Sequence, residues 1–560
     1  MLKVFLPYGF GVFLTLFVSL VEAIEPGTLT PATPDYQLPK LPKWSAIPPV
    51  NNLQLDNSAQ ISEVINNDIR FILKALQFSG NKTINTEQLQ AIVQPYINKV
   101  VDRLDLEQIR QQLVNHYRNA GFLYPSVILP SQHISKGLVR YQIDEGQLTA
   151  INISGTEHLN EEYVRQRIAL DADQPLQKDA LLERFQMLLS DPLIERVNGA
   201  LKPGVNPGDT ILDLYITRAK AYEIQLGIDN YTPPSVGAYN GDLTGIVRNL
   251  TGWGDFLQVN LNGGEGHQGI SGFFSIPVNR YDTRFNIAFQ ASQAKVIEGA
   301  LEALDIESHF MDFNVAISQP VFRTLNRIFN VELQYAFRQT RTSILGFPIA
   351  LADGVEENGK AKVSVLRFIQ SYTDRNEKRV YTARSSFNTG FDAFNTTINP
   401  HPEADGRYFS WQGQLRYLHK LDERGSELFF RSDIQLTSEK LLPLERFALG
   451  GIYTVRGYRE YELVRDAGYA LSLELRYPIW QMSKKQQHLQ IIPFFDFGQA
   501  WNLHQKQKTL YSAGIGLKWH WQQIGAEFYW AQTLNNPDTI DQEYDLQDSG
   551  IHFQLQAQLF

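Results

Sequence analysis

The sequence contains no cysteine. That absence rules out a disulfide framework, a thiolate zinc site and a cysteine nucleophile. Positive charge is in deficit, with 51 Lys and Arg against 60 Asp and Glu and a net charge of −9. Such a balance argues against a polyanion-binding surface, so no nucleic-acid partner is expected. Long hydrophobic runs are absent after the first two dozen residues. No later segment reaches the roughly 18 consecutive apolar residues of a spanning helix. Enzyme signatures are missing too: there is no H-E-x-x-H and no G-x-S-x-G, and the eleven histidines are scattered without metal-ligand spacing.

Two glycine-rich stretches imitate nucleotide motifs and fail in context. Gly264-Glu265-Gly266-His267-Gln268-Gly269 fits G-x-G-x-x-G, but the strand-like run Ile270–Ile276 follows it. A pyrophosphate needs a helix N-terminus there, so a hairpin loop is expected. Gly354 to Lys360 resembles a Walker A loop, yet Ala361 stands where a Ser or Thr should hold magnesium. It reads as an extracellular loop. No cofactor, no metal and no catalytic residue is therefore expected, and the chain does not read as an enzyme.

What the chain does have is aromatic residues, 12% of the total, in a sequence whose mean hydropathy is only −0.26. Its start has the layout of a secretory signal peptide. Lys3 provides the charge, Val4–Val21 the apolar stretch and Val21-Glu22-Ala23 the cleavage pattern, predicting residues 1–23 as signal peptide. The alternative is an uncleaved membrane anchor. Residues 24–67 follow as a linker whose first half carries Pro26, Pro31, Pro34, Pro39, Pro42, Pro48 and Pro49 and should be extended.

Residues 68–219 read as two copies of one β-α-α-β-β unit of about 75 residues. In the first, 68–146, a strand over Ile69–Phe78 ends at Ser79-Gly80-Asn81. Thr86 caps a helix, and Asp105 starts another with Leu106, Ile109, Leu113 and Tyr117 at helical spacing. Strands over Phe122–Leu129 and Leu138–Ile143 follow, and Asp144-Glu145-Gly146 makes the turn. The second copy, 147–219, has a strand at Ile151–Ser154, helices near 160–168 and 178–190, and strands near 195–202 and 210–217.

From about residue 220 the period becomes two and stays so to residue 560. Phe329, Val331, Leu333, Tyr335 and Phe337 alternate with Asn330, Glu332, Gln334, Ala336 and Arg338. Leu471, Leu473 and Leu475 alternate with Ser472, Glu474 and Arg476. Each strand thus has one apolar and one polar face. A soluble sandwich shows the same alternation. Segments of about ten residues, aromatic-rich apolar faces and an export signal favour a transmembrane β-barrel of roughly sixteen antiparallel strands around a wet lumen.

Two segments of this region stand out. Val455-Arg456-Gly457-Tyr458 lies in a long loop between strand-like 428–437 and 470–477. Phe494, Asp496 and Gly498 share the lumen face of a strand, opposite Phe495 and Phe497. A loop arginine and a lumen carboxylate gain meaning together, because a confined pair of this kind is bidentate and geometrically specific. Glu474 and Arg476 are candidate lumen-facing supports.

The combination resembles the outer-membrane transporters of two-partner secretion, the FhaC/ShlB/HecB haemolysin secretion/activation type, also called TpsB. The resemblance covers nearly all of the chain beyond the signal peptide. It implies that the repeats are two periplasmic POTRA domains and that the barrel is a sixteen-stranded pore in the bacterial outer membrane. It implies that the sixth extracellular loop folds into the lumen and that Arg456 meets Asp496, with Gly457 and Tyr458 shaping the tip and Gly498 leaving room. The implied partners are a large secreted β-helical exoprotein bound by the POTRA domains, outer-membrane lipid, and the barrel-assembly machinery during biogenesis. Export proceeds without ATP in this picture. Two departures are visible. Residues 24–50 are too proline-rich for the plug helix that many family members carry, and the helix-like run at 58–67 abuts the first repeat. Terminal Phe560, which matches the family's assembly signal, falls in phase with His552, Gln554, Gln556 and Gln558 rather than with Ile551, Phe553 and Leu555. An assembly factor of the same superfamily is the main alternative, although those relatives usually carry three or more POTRA copies. A passive porin would leave the α/β repeats unexplained.

Overall fold

The computed structural model describes residues 53–55, 70–170, 174–482, 487–535 and 544–559. The signal peptide, the helix-like run at 58–67 and Phe560 lie outside the described residues, as does most of the linker. The chain divides into two compact units, one running up to Ala221 and also taking in Thr251–Gly254, the other beginning at Tyr222.

The first unit contains the two repeats, and their sheets share one topology. In the first, Ala75–Ser79 runs parallel to Leu138–Asp144, which pairs antiparallel with Ser126–Ile128. In the second, Gln147–Ser154 runs parallel to Asp209–Arg218, which pairs antiparallel with Ile194–Pro203. Helices Thr86–Val93 and Arg103–Asn119 cover the first sheet, and Glu161–Ile168 and Lys178–Leu189 belong to the second. Each repeat has its own core. Leu89, Ile109, Leu113 and Tyr141 lie in one, and Val164, Leu181, Phe185 and Leu212 in the other. Backbone bonds from Leu123 N to the Leu176 carbonyl (3.0 Å) and from Lys178 N to the Gly121 carbonyl (2.9 Å) tie the repeats together. Three linker residues, Leu53–Leu55, add a parallel strand to the edge of the second sheet opposite Gly199–Leu201.

Several boundaries differ from the sequence expectation. The first helix is capped by Asn85, not Thr86, because the Asn85 side chain accepts from Gln88 N. The second begins one turn early, where Asp102 and Asp105 form a reciprocal capping box. The expected strand Phe122–Leu129 shrinks to Ser126–Ile128, after Pro125, which has no N–H to donate. Glu145 is more than a turn residue. It is buried and accepts from Lys82 N (2.9 Å), Thr83 N (2.8 Å), Thr83 Oγ1 (2.6 Å) and Tyr117 Oη (3.4 Å). Burial, reinforced by this carboxylate, pushes the Tyr117 hydroxyl up, so it stays protonated and donates.

The second unit is a closed antiparallel barrel of sixteen long strands, with the short pair Phe347–Pro348 annexed to it. Strand Tyr222–Asp229 closes the ring by pairing with Ile551–Gln558, from Gln225 opposite Gln558 to Asp229 opposite Gln554. The exposed faces are the apolar ones. Leu333 is 52% exposed, as are much of Phe313, Leu473 and Phe495, while Arg338, Ser472 and Asp496 on the other face are buried. That inversion excludes a sandwich, whose apolar faces would meet inside. Gly264–Gly266 form a hairpin turn between Phe256–Gly263 and His267–Pro277, as expected.

Glu145→Ala removes the acceptor shared by the Lys82 and Thr83 amides. We expect local opening at Thr83 to become easier by about 2 kcal/mol. Amide hydrogen exchange at Thr83, compared with wild type, measures this directly.

Candidate functional site

The site is built from a loop inside the barrel. Between strands Glu427–Thr437 and Ala467–Met482 the chain turns inward rather than away. Phe447–Leu449 pairs antiparallel with Leu463–Arg465, so the loop returns on itself as a narrow hairpin. Phe447, Leu449, Val455, Tyr458 and Leu463 pack with Ala470, Ala500 and Leu510 of the barrel strands. Part of the lumen is therefore filled by buried apolar side chains. Most of them come from the loop, so the period-two pattern of the wall gives no sign of those.

The loop presents Arg456, 2% exposed, to the wall. Its Nε donates to Asp496 Oδ2 (2.7 Å) and its Nη2 to Asp496 Oδ1 (2.8 Å). Nη2 also donates to Ser472 Oγ (2.9 Å), and Nη1 to Glu474 Oε1 (2.8 Å). The Arg456 backbone N–H reaches Asp496 Oδ2 as well (3.1 Å). Asp496, 0% exposed, thus holds both the side chain and the main chain of the tip. The guanidinium lies 3.5 Å from the Phe494 ring centroid, a cation–π arrangement. Glu474 Oε2 accepts from Arg476 Nε (3.0 Å) and Nη2 (2.9 Å). Two arginines face two carboxylates, so the cluster is formally neutral.

Strand periodicity explains the wall half of this geometry. Ser472, Glu474 and Arg476 are two apart on one strand, and Phe494, Asp496 and Gly498 two apart on its neighbour, with Ser472 opposite Asp496. All six therefore point to one face. Gly498 is required by close approach, since a Cβ there would overlap Leu449 and touch Val455. Gly457 adopts φ 93°, and a Cβ on it would press on Ala531 at 3.0 Å.

Every loop and wall residue singled out from the sequence is found in this cluster or beside it. Val455 fills the apolar contact, and Tyr458 Oη donates to Asn535 Oδ1 (2.6 Å). Sequence reasoning put Ser472 on the polar face with Glu474 but did not single it out for the site. It missed His552, whose Nε2 accepts from Gly457 N (3.3 Å), and Arg431, whose Nη2 donates to the Thr454 carbonyl (3.1 Å). Arg459 pairs with Asp548 (2.6 Å) and Glu298 (2.7 Å), residues far away in the sequence. Among the described residues no group of His, Asp and Glu is placed to hold a metal ion.

Comparison with known proteins gives a consistent picture. The family model described as haemolysin secretion/activation protein ShlB/FhaC/HecB matches residues 208–519, more than half of the chain. The model of the ShlB-type POTRA domain matches residues 71–146. The heme/hemopexin transporter protein HuxB of Haemophilus influenzae (strain 86-028NP) is 22% identical over 484 residues, covering 80% of this chain and 81% of its own. The outer membrane transporter CdiB of Dickeya dadantii is 20% identical, covering 84% and 85% respectively. Among solved structures, CdiB from Escherichia coli aligns with a TM-score of 0.66 at 15% identity, over 90% of this chain and 93% of that one. BamA from Haemophilus ducreyi lacking POTRA domains 1–3 aligns at 0.54 with 13% identity, over 87% of this chain and all of that one. At these identities the structural likeness speaks to fold.

Asp496→Asn keeps the shape of the pocket and removes half of the charge balance around Arg456. Breaking a buried pair from one side costs about 3–5 kcal/mol. We expect a lower urea midpoint for the detergent-solubilised barrel, read from the temperature and denaturant dependence of its heat-modifiable gel mobility.

Proposed function

This chain belongs to the ShlB/FhaC/HecB haemolysin secretion/activation family, and we propose from that premise how it works. It is an outer-membrane β-barrel transporter of two-partner secretion with periplasmic POTRA repeats. In our reading residues 1–23 direct export, 24–67 are a linker, 68–146 and 147–219 are the two repeats, and 220–560 form the barrel. The repeats capture the secretion domain of a large β-helical exoprotein. A sheet edge suits that task, because β-augmentation reads an extended backbone more than its sequence. The barrel then passes the unfolded cargo outward, and folding of the cargo outside supplies much of the drive. No nucleotide site and no catalytic constellation takes part.

One observation carries the mechanism: Arg456 is buried between Asp496 and Glu474, and its loop occupies the lumen through which cargo must travel. A plug that must withdraw needs a tie that is specific and reversible. A neutral ionic cluster meets both demands, since its parts regain hydration when water enters, whereas a purely apolar plug has no such return. Outer-membrane lipid faces the aromatic-rich exterior, the barrel-assembly machinery inserts the chain, and Phe560 serves as part of the signal for that step.

Arg456→Ala should lower export of a co-expressed partner exoprotein at least about tenfold, because the untied tip no longer returns to one defined place in the cargo path. Heat-modifiable mobility should show the barrel still assembled. Wild-type export by that variant would sink the lock mechanism. Deleting 68–146 should abolish capture of the cargo's secretion domain in a pull-down, and unchanged capture would reject the role given to the first repeat.

A further inference from the structure

A second buried ionic cluster holds the same loop, at its stem and on a different part of the wall. Glu445 ends the short turn Pro443–Glu445 and is 2% exposed. Its Oε1 accepts from Arg338 Nη1 (2.9 Å), and its Oε2 from Arg367 Nη2 (2.9 Å). These arginines belong to the neighbouring strands Arg327–Ile344 and Lys360–Arg375. Arg338 also donates through Nε to Asp312 Oδ2 (2.8 Å) and through Nη1 to the Leu444 carbonyl. Again two arginines meet two carboxylates. Leu442 and Leu444 pack beside them against Phe310, Val363 and Tyr408. Three barrel strands, Arg379–Phe391, Phe409–Lys420 and Glu427–Thr437, separate this wall from the one that holds Arg456.

The backbone between the two clusters has the form of a joint. Gly450 and Gly451 adopt φ of 111° and 93°, and Tyr461 on the returning limb adopts 59°. Consecutive glycines have the widest choice of backbone angles, and beyond them the tip is bonded within itself, Gly450 N to Thr454 Oγ1 (2.8 Å) and Ile452 N to Glu460 Oε1 (2.6 Å). Outside the joint the two limbs are fastened to each other. Phe447–Leu449 pairs with Leu463–Arg465, and Asp466 Oδ1 accepts from Leu441 N (3.0 Å).

We propose that the loop is a two-part device. Its stem, 441–449 with 463–466, is fixed to the wall by Glu445, and its tip, 450–462, alone leaves the lumen during export. Glu445 is then a positioning residue, independent of the Arg456 lock. The proposal rests on the reading of the tip as the movable obstruction, and it adds that withdrawal is a pivot, leaving part of the lumen permanently narrowed.

The absence of native cysteine allows single thiol reporters: Ile452→Cys for the tip and Leu442→Cys for the stem. Both are labelled with a membrane-impermeant maleimide in proteoliposomes holding the full chain, with heat-modifiable mobility confirming assembly. In the R456A background, tip labelling should rise about tenfold or more while stem labelling stays at the wild-type rate. In E445Q the stem reporter should gain by a similar factor. E445Q/R367Q keeps the buried charge balanced and guards against a folding defect. It should still expose the stem if Glu445 is a fastener. Return of that double variant to wild-type protection would overturn the proposal, because Glu445 would then only balance charge. Equal exposure of both reporters in R456A would overturn it too, because the loop would leave as one piece. If R456A protects both reporters while E445Q exposes the stem, the lock reading of the tip falls and the Glu445 assignment stands.

Discussion

A backbone that crosses lipid must satisfy every N–H and C=O within itself, and for strands this is possible only if the sheet closes. The rest of the barrel unit follows from that demand. Closure sets the alternation, because each strand then has one face toward lipid and one toward the interior. It also encloses a lumen of sixteen strands, and a lumen of that size is a hole unless something occupies it. The occupant comes from the chain itself, as the loop between Glu427–Thr437 and Ala467–Met482.

The way the loop is held joins apolar packing to buried ionic contacts. Apolar packing by Phe447, Leu449 and Val455 excludes water from around Arg456. Exclusion of water strengthens each ionic contact and raises the penalty for any charge left alone. Both clusters answer by matching two hydrogen-bonded arginines with two carboxylates, so the charges within each bonded set balance. Such clusters contribute little to stability beyond what well-packed apolar residues would give, but they accept only one geometry. Arg456 illustrates the point: its planar fork engages Asp496, Ser472 and Glu474 at once, which an ammonium could not do.

What could be read from the sequence was local. Period two announces the strands, and the same rule places Ser472, Glu474, Asp496 and Gly498 on the lumen face. The repeated β-α-α-β-β order announced two sheets of equal topology. Helix starts were off by one to three residues because Asn85, Thr86, Asp102 and Asp105 are all competent caps, and the choice among them is made by packing. The unread parts were long-range. Glu445 meets Arg338 across more than a hundred residues, and Arg459 meets Glu298 across more still. No spacing rule connects such positions, since only the fold brings them together. Glu145 escaped for a related reason: Asp-Glu-Gly spells a turn, while its acceptors' partners lie at Lys82–Ile84.

The strand Leu53–Leu55, a minor element by length, changes the character of the sheet it joins. Without it Gly199–Leu201 would be the bare rim of the second repeat, a row of open donors and acceptors able to zip onto the same rim of another copy. With it the rim is already spoken for by the molecule's own chain. The sheet then ends in a strand of only three residues, too short a row for another copy to pair along, which is one way natural sheets blunt an edge.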